Sequence, residues 1–309
     1  MLISNPFSSP LFLPTFVTVG TMLGATLVVL LIIARFDLGR LQSSVLFRRW
    51  RVWLVIAPVY GLCILGGPAP TLALLSLLVL QGLREYARLV GLPPTYARVL
   101  AGLGLLAGPA AMLSLEAFHL LPPLLLAAAT LQPLLFYKRA DGFRHLAFAA
   151  LGWGYVAWFL AHLMLIYRYV DGGPGILLAA GMATALSDVG GFTLGKAFGK
   201  HKLAPRISPN KTWEGVLGNF LGAYLGVSLM AFGLPEAFRP LLLALLPPVI
   251  ACAALWGDLL ESAIKREFSA KDAGDWLPGF GGLLDRVDSL IIVLPAVFYS
   301  LWLLDRLAA

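Results

Sequence analysis

The stretch LLLALLPPVIACAALWG at residues 241–257 runs without a break into DLLESAIKRE at 258–267. Its first part is continuously apolar rather than alternating, which reads as a helix in a bilayer and not as a barrel strand. Its second part turns polar and charged while the helical spacing can continue. On one helix, Asp258, Ser262, Lys265 and Arg266 stand at i, i+4, i+7 and i+8 and share a face. The segment thus predicts two things at once: a membrane-spanning helix, and a chemical wall at its polar end.

A spanning helix needs about 20 mostly apolar residues. Working outward, comparable runs fall near 14–34, 52–67, 69–83, 97–115, 118–136, 145–167, 174–195, 213–233, 237–260 and 289–304. The expected architecture is an all-α, polytopic integral membrane bundle of about ten transmembrane helices, with nine as the nearest alternative. The whole-chain composition agrees: 59% of the residues are hydrophobic and 13% charged, with a mean hydropathy of +0.85. So much apolar surface cannot be hidden in one soluble core. Met1 to Pro14 carries no basic residue before the first long apolar run, the pattern of a retained first helix rather than a cleaved leader. Cys63 and Cys252 lie far apart in predicted spans and suggest neither a disulfide framework nor a thiolate metal site.

Basic residues sort by loop under this assignment. Arg35, Arg40, Arg48, Arg49 and Arg51 follow the first span, Arg84, Arg88 and Arg98 the third, and Lys138, Arg139 and Arg144 the fifth. Lys196, Lys200, Lys202, Arg206 and Lys211 follow the seventh, and Lys265, Arg266, Lys271 and Arg286 the ninth, while the opposite side keeps Arg168, Arg239 and Arg306. The positive-inside rule then places these loops in the cytoplasm and both termini outside. The net charge of +7 gathers on one membrane face, where it can meet anionic headgroups or substrates.

Residues 1–170 read as scaffold helices and 171–309 as the catalytic region. In the scaffold, Arg84-Glu85-Tyr86 with Arg88 reads as an interfacial cap, and His162 as a lone intramembrane histidine bonded to a neighbouring helix. From Ser187 onward acidic, basic, hydroxyl and glycine residues crowd the cytoplasmic ends. Asp188 is expected within the membrane, where a carboxylate needs a partner or a cation. Ser208, Lys211 and Thr212 stand at a helix start, a natural anion site. They serve equally well as caps supported by Glu214. Lys200-His201-Lys202 reads as a solvated charge run that steers anions. Asp285 and Asp288, at i and i+3 in the last helix, sit where a helix N-terminus favours carboxylates and could meet Asp258 across the bundle. Such carboxylates suit a hard cation such as Mg²⁺, and the glycine-rich turn between lets backbone approach a ligand.

The order S-x-x-K-R-x4-K-D-x5-P-G-x-G-G-x2-D-R-x-D from Ser262 to Asp288, with S-P-x-K-T-x-E-G from Ser208 to Gly215, closely resembles the signature of the phosphatidate cytidylyltransferases. The resemblance covers roughly 185–290. It implies a polytopic enzyme of the bacterial inner membrane with its active site facing the cytoplasm. Such an enzyme condenses CTP with phosphatidic acid, using Mg²⁺, to give CDP-diacylglycerol and pyrophosphate. Asp258 and Asp285 match the metal-holding carboxylates. Lys265, Arg266, Lys271, Asp272, Arg286 and Asp288 complete the catalytic set. Ser208, Lys211, Thr212, Glu214, Ser262, Gly281, Gly282 and Asp188 are expected to bind substrate. A second cation stays open, a homodimer is a guess from the resemblance, membrane lipids are partners, and no nucleic-acid polymer is expected. One departure stands out: Phe280 occupies the place of the usual histidine in Pro-Gly-His-Gly-Gly, so that turn has no ring nitrogen to offer. A related lipid phosphate as substrate, or a silent lipid-binding paralogue, are the alternatives. A transporter would show internal repeats with broken helices near the midplane, and none is legible.

Overall fold

The computed structural model describes residues 2–135, 142–274, 276 and 281–308. Lys138, Arg139, Pro278, Gly279 and Phe280 lie outside the described residues. The chain is helical nearly throughout. In order come α1 (Phe12–Ile33), α2 (Leu38–Ser43), α3 (Val45–Leu65), α4 (Pro68–Leu89), α5 (Pro94–Gly104), α6 (Ala107–Leu113) and α7 (Leu115–Leu135). α8 (Gly142–Gly152) passes through one π-helical stretch, Trp153–Trp158, into α9 (Phe159–Tyr169). Then follow α10 (Gly173–Phe198), the strands β1 (Lys202–Ala204) and β2 (Ser208–Thr212), α11 (Trp213–Leu229), α12 (Arg239–Glu267) and α13 (Leu284–Ala308).

Helix starts follow local chemistry. α4 opens on Pro68 after Gly67 at φ +105°, and α10 opens on Gly173-Pro174 after Gly172 at φ +66°. Proline tolerates a first turn because its missing N–H would be unpaired there. α11 is capped by Thr212, whose hydroxyl accepts from the Gly215 N–H at 3.1 Å.

Every apolar segment expected from the sequence is helical, and the protein is an all-α membrane protein. Among the described residues, six stretches are long and apolar enough to cross a membrane: Phe12–Ile33, Pro94–Leu113, Gly142–Tyr169, Gly173–Phe198, Glu236–Glu267 and Leu284–Arg306. The expectation of about ten counted four more. α3 carries Arg48, Arg49 and Arg51 in its first turns, and α4 ends in Arg84, Glu85 and Arg88. In α7 the apolar stretch is Leu115–Leu131, and α11 has 17 residues.

The buried core gathers around α9, where every residue from Leu160 to Ile166 is buried, with α4, α6, α10 and α13 packed about it. His162 departs from the expected bond to a neighbouring helix: its Nδ1 lies 3.0 Å from the Trp158 carbonyl of its own helix. The rest of its surroundings are the rings of Phe118, Trp158, Phe298 and Tyr299.

α10 and α11 form an antiparallel hairpin whose turn is the β1–β2 pair, registered Lys202 with Thr212 and Ala204 with Ser208. The two helices meet through glycine. A Cβ added to Gly190 or Gly218 would overlap the backbone of the other, Gly222 lies against Leu186, and Gly226 lies against Ala183. Small residues spaced in this way let membrane helices approach backbone to backbone.

Candidate active site

The hairpin, its strands and α12 enclose a cleft of about 520 Å³. Its walls present Asp188 from α10, Lys202, Ser208 and Lys211 from the strands, and Asp258 from α12. Gly191, Gly195, Gly199 and Gly215 form one side without side chains, so a ligand there meets backbone directly. Two carboxylates and several ammonium groups thus face one cavity, a composition suited to a polyanion carried with a cation.

Asp258 is the junction of this wall. Its Oδ2 accepts from Lys211 Nζ at 2.7 Å and its Oδ1 from Ser262 Oγ at 3.3 Å. Asp188 accepts from Ser289 Oγ at 3.3 Å, which ties α10 to α13 behind the cleft. Asn219 donates to Ser187 Oγ at 3.2 Å beside it. Arg266 donates from Nε to the Ile207 carbonyl at 3.3 Å, pinning the end of α12 to the β1–β2 turn.

A second knot lies deeper. Lys265 donates to Glu261 Oε2 at 2.5 Å and to Asp285 Oδ1 at 2.7 Å. The side chains of Glu261 and Asp285 are almost sealed from solvent, at 1% and 3% exposure. Asp285 also accepts from the N–H groups of Ala273 (3.0 Å) and Gly282 (2.8 Å). Gly281, at φ +86°, lies against the same carboxylate. Asp288 is buried one turn further along α13.

The structure therefore brings Asp188, Ser208, Lys211, Thr212 and Asp258 together at the cleft, with Ser262 bonded to Asp258. It sets Lys265, Asp285 and Asp288 behind it. Gly281 and Gly282 wrap Asp285 rather than line the cavity. Lys271 and Asp272 are exposed before the glycine turn, and Arg286 is half-buried beside Asp285. Glu214 sits in the first turn of α11. It reaches back to the N–H groups of Lys200 (3.1 Å) and His201 (3.3 Å) and to the His201 ring at 2.7 Å, fixing the entry to β1.

Two carboxylates were not singled out by sequence reading. Glu261 sits within the quoted polar run, and only its burial distinguishes it. Glu85, expected at an interface, is 1% exposed. Its signal was present: Leu78, Gly82 and Glu85 share the face of α4 that carries its buried residues.

Comparison with known proteins bears on this geometry. A model described as the cytidylyltransferase family matches residues 47–304. An uncharacterized protein, YnbB of Escherichia coli strain K12, is 33% identical over 300 residues, covering 89% of this chain and 96% of that protein. A phosphatidate cytidylyltransferase of Pseudomonas aeruginosa is 35% identical over 236 residues, 72% of this chain and 83% of its own length. One of Mycobacterium leprae is 44% identical over 123 residues, 40% of this chain and 39% of its own.

Proposed function

This chain belongs to the cytidylyltransferase family, and from that premise we propose that it condenses CTP with phosphatidic acid to give CDP-diacylglycerol and pyrophosphate. The observation that carries this reading is the cleft in which Asp188 and Asp258 face Lys202 and Lys211 across a glycine wall. Its volume, about 520 Å³, lies within the range usual for small-molecule sites. In our reading the cleft opens to the cytoplasmic face of a bacterial inner membrane, an orientation supported by the Lys and Arg residues of the loops.

The donor set fits Mg²⁺. Asp188, Asp258, Ser208 and Asn210 offer oxygen donors to one cavity. Among the described residues no group of three or more His, Cys, Asp or Glu converges on one point, so water and substrate phosphates would complete the shell, as is usual for this ion. Asp258 would hold it; Asp285 would join only by giving up part of its bonding to Lys265, Ala273 and Gly282. Bound Mg²⁺ supplies charge neutralisation on the triphosphate and on the departing pyrophosphate.

The chain's own groups do the positioning. Lys202 and Lys211 draw the triphosphate to the cleft, and Ser208 and the glycine backbone place it. An oxygen of the lipid phosphate attacks the α-phosphorus of CTP. The bond from that phosphorus to the bridging oxygen breaks, and pyrophosphate leaves with the electron pair. A phosphate monoester has a second pKa of about 6, so the nucleophile is already largely ionised near neutrality and needs no general base. In this reading the reaction needs no histidine at position 280.

The test is release of pyrophosphate and formation of CDP-lipid by purified protein given CTP, phosphatidic acid and Mg²⁺. Asp258→Ala should lower turnover by roughly 10³-fold. A folded wild type that releases no pyrophosphate with phosphatidic acid, but does so with another lipid phosphate, would move the substrate and keep the chemistry.

A further inference from the structure

Gly282, Leu283 and Leu284, which lead into α13, hang on two carboxylates far apart in the sequence. Asp285 supplies one, from the first turn of α13 itself. Glu85 supplies the other, from α4. Its Oε1 accepts from Gln81 Nε2 at 2.7 Å and from the Leu283 N–H at 3.0 Å, and its Oε2 accepts from the Leu284 N–H at 2.7 Å. The first N–H groups of a helix have no partner within the helix. At the start of α13, Glu85 takes those of Leu283 and Leu284, both buried. A carboxylate is also the group best matched to the positive end of the helix.

The loop is cut to fit around it. A Cβ at Gly274 would lie 2.9 Å from the Glu85 carboxyl carbon, and a Cβ at Gly282 would overlap its Oε2. Gly282 meanwhile gives its N–H to Asp285 at 2.8 Å, and Asp285 takes Lys265 of α12. The chain of contacts therefore runs from Glu85 through the start of α13 to Asp285 and Lys265. The next residue on that α13 face, Asp288, is held by the same helix start. Glu85 itself is absent from the walls of the cleft.

We propose that Glu85 is a positioning residue for nucleotidyl transfer, an N-terminal cap supplied to α13 by the scaffold half, which fixes Asp285, Asp288 and Lys265 relative to the cleft. The inference rests on the activity proposed above.

Three variants and two readouts test it: Glu85→Gln, Glu85→Asp and, as a packing control, Tyr86→Phe. The control removes a different contact of the same helix, the hydroxyl donor to the Phe148 carbonyl at 3.0 Å. Amide exchange over 281–290 should quicken about tenfold in Glu85→Gln, because one carboxyl oxygen becomes a donor facing N–H groups. With CTP and phosphatidic acid, kcat should fall roughly 10²-fold, as expected of a misplaced catalytic group, while KM for phosphatidic acid stays put. Glu85→Asp keeps both oxygens and should recover part of kcat. Tyr86→Phe should lower the melting temperature without touching exchange at 281–290 or kcat. Wild-type exchange and wild-type kcat in Glu85→Gln would overturn the proposal. So would a loss of kcat that tracks melting temperature equally in all three. A wild type without turnover would count against the transfer reading alone, and the exchange comparison would still decide whether Glu85 holds the loop.

Discussion

The two halves of the site wall hold their shape by opposite means. The α10–α11 hairpin is closed by backbone against backbone, with Gly190 on Gly218 and Gly222 on Leu186, and apart from Asp188 gathers its charge at its polar tip. The α12–α13 pair is closed around a buried ionic knot of Glu261, Lys265 and Asp285, capped from α4 by Glu85. In a bilayer both solutions answer the same constraint, that every polar group be satisfied internally. The first removes side chains so that little needs satisfying. The second gathers charges so that Lys265 serves Glu261 Oε2 and Asp285 Oδ1 together. A wall of the first kind leaves room for a ligand, and one of the second kind cannot move without exposing a charge.

The sharpest way to break this contrast is to remove the cation at its centre. Lys265→Met leaves Glu261 and Asp285 buried without their partner, and breaking such a pair typically costs about 3–5 kcal/mol. Unfolding in a mild detergent should report that loss, and adding Glu261→Gln should return part of it. A stability equal to wild type would mean the knot is not what closes α12 on α13.

The hairpin should be less sensitive per substitution but should fail for steric reasons alone. Gly218→Ala places a methyl where the Gly190 backbone already lies, and overpacking of this kind costs about 1–3 kcal/mol. The change should be independent of salt and should lower CTP affinity by tilting α11. If the variant is as stable as wild type, the helices are held by something other than close approach.

The smallest effect is expected at the seam between them. Thr212→Ala removes the cap on α11, worth about 1 kcal/mol. Thr212 also lines the cleft. A melting shift with unchanged kinetics would leave it a cap only, whereas a rise in KM for CTP beyond the stability loss would give it both roles.

How much of this could be read from the chain depends on the range of the contacts. The polar end of α12 was legible because one helix sets the relation of Asp258 to Ser262 and Lys265, and the helix continues to Glu267 as its spacing implied. Asp285 and Asp288 at the start of α13 were legible for the same reason. The burial of Glu85 was legible in the spacing of α4, but its role was not, because its partners Leu283 and Leu284 lie far away in sequence and no periodicity encodes them. Glu214 was read only as support for the α11 cap because Thr212-x-Glu214 looks local, whereas it also bonds Lys200 and His201, which precede β1. The expected spans at α3 and α4 belong to helices whose charged turns continue beyond the apolar stretch.

The π-helical stretch Trp153–Trp158 between α8 and α9 has a consequence for how the chain can vary in length. A π turn accommodates one more residue than an α turn within a continuing helix. Deleting one residue there would tighten the π turn to an α turn and leave α8 in register with α9, so Gly152 would stay against the Tyr86 ring. Surface loops absorb insertions and deletions at little cost. Inside a buried helix this stretch offers the same allowance for a single residue.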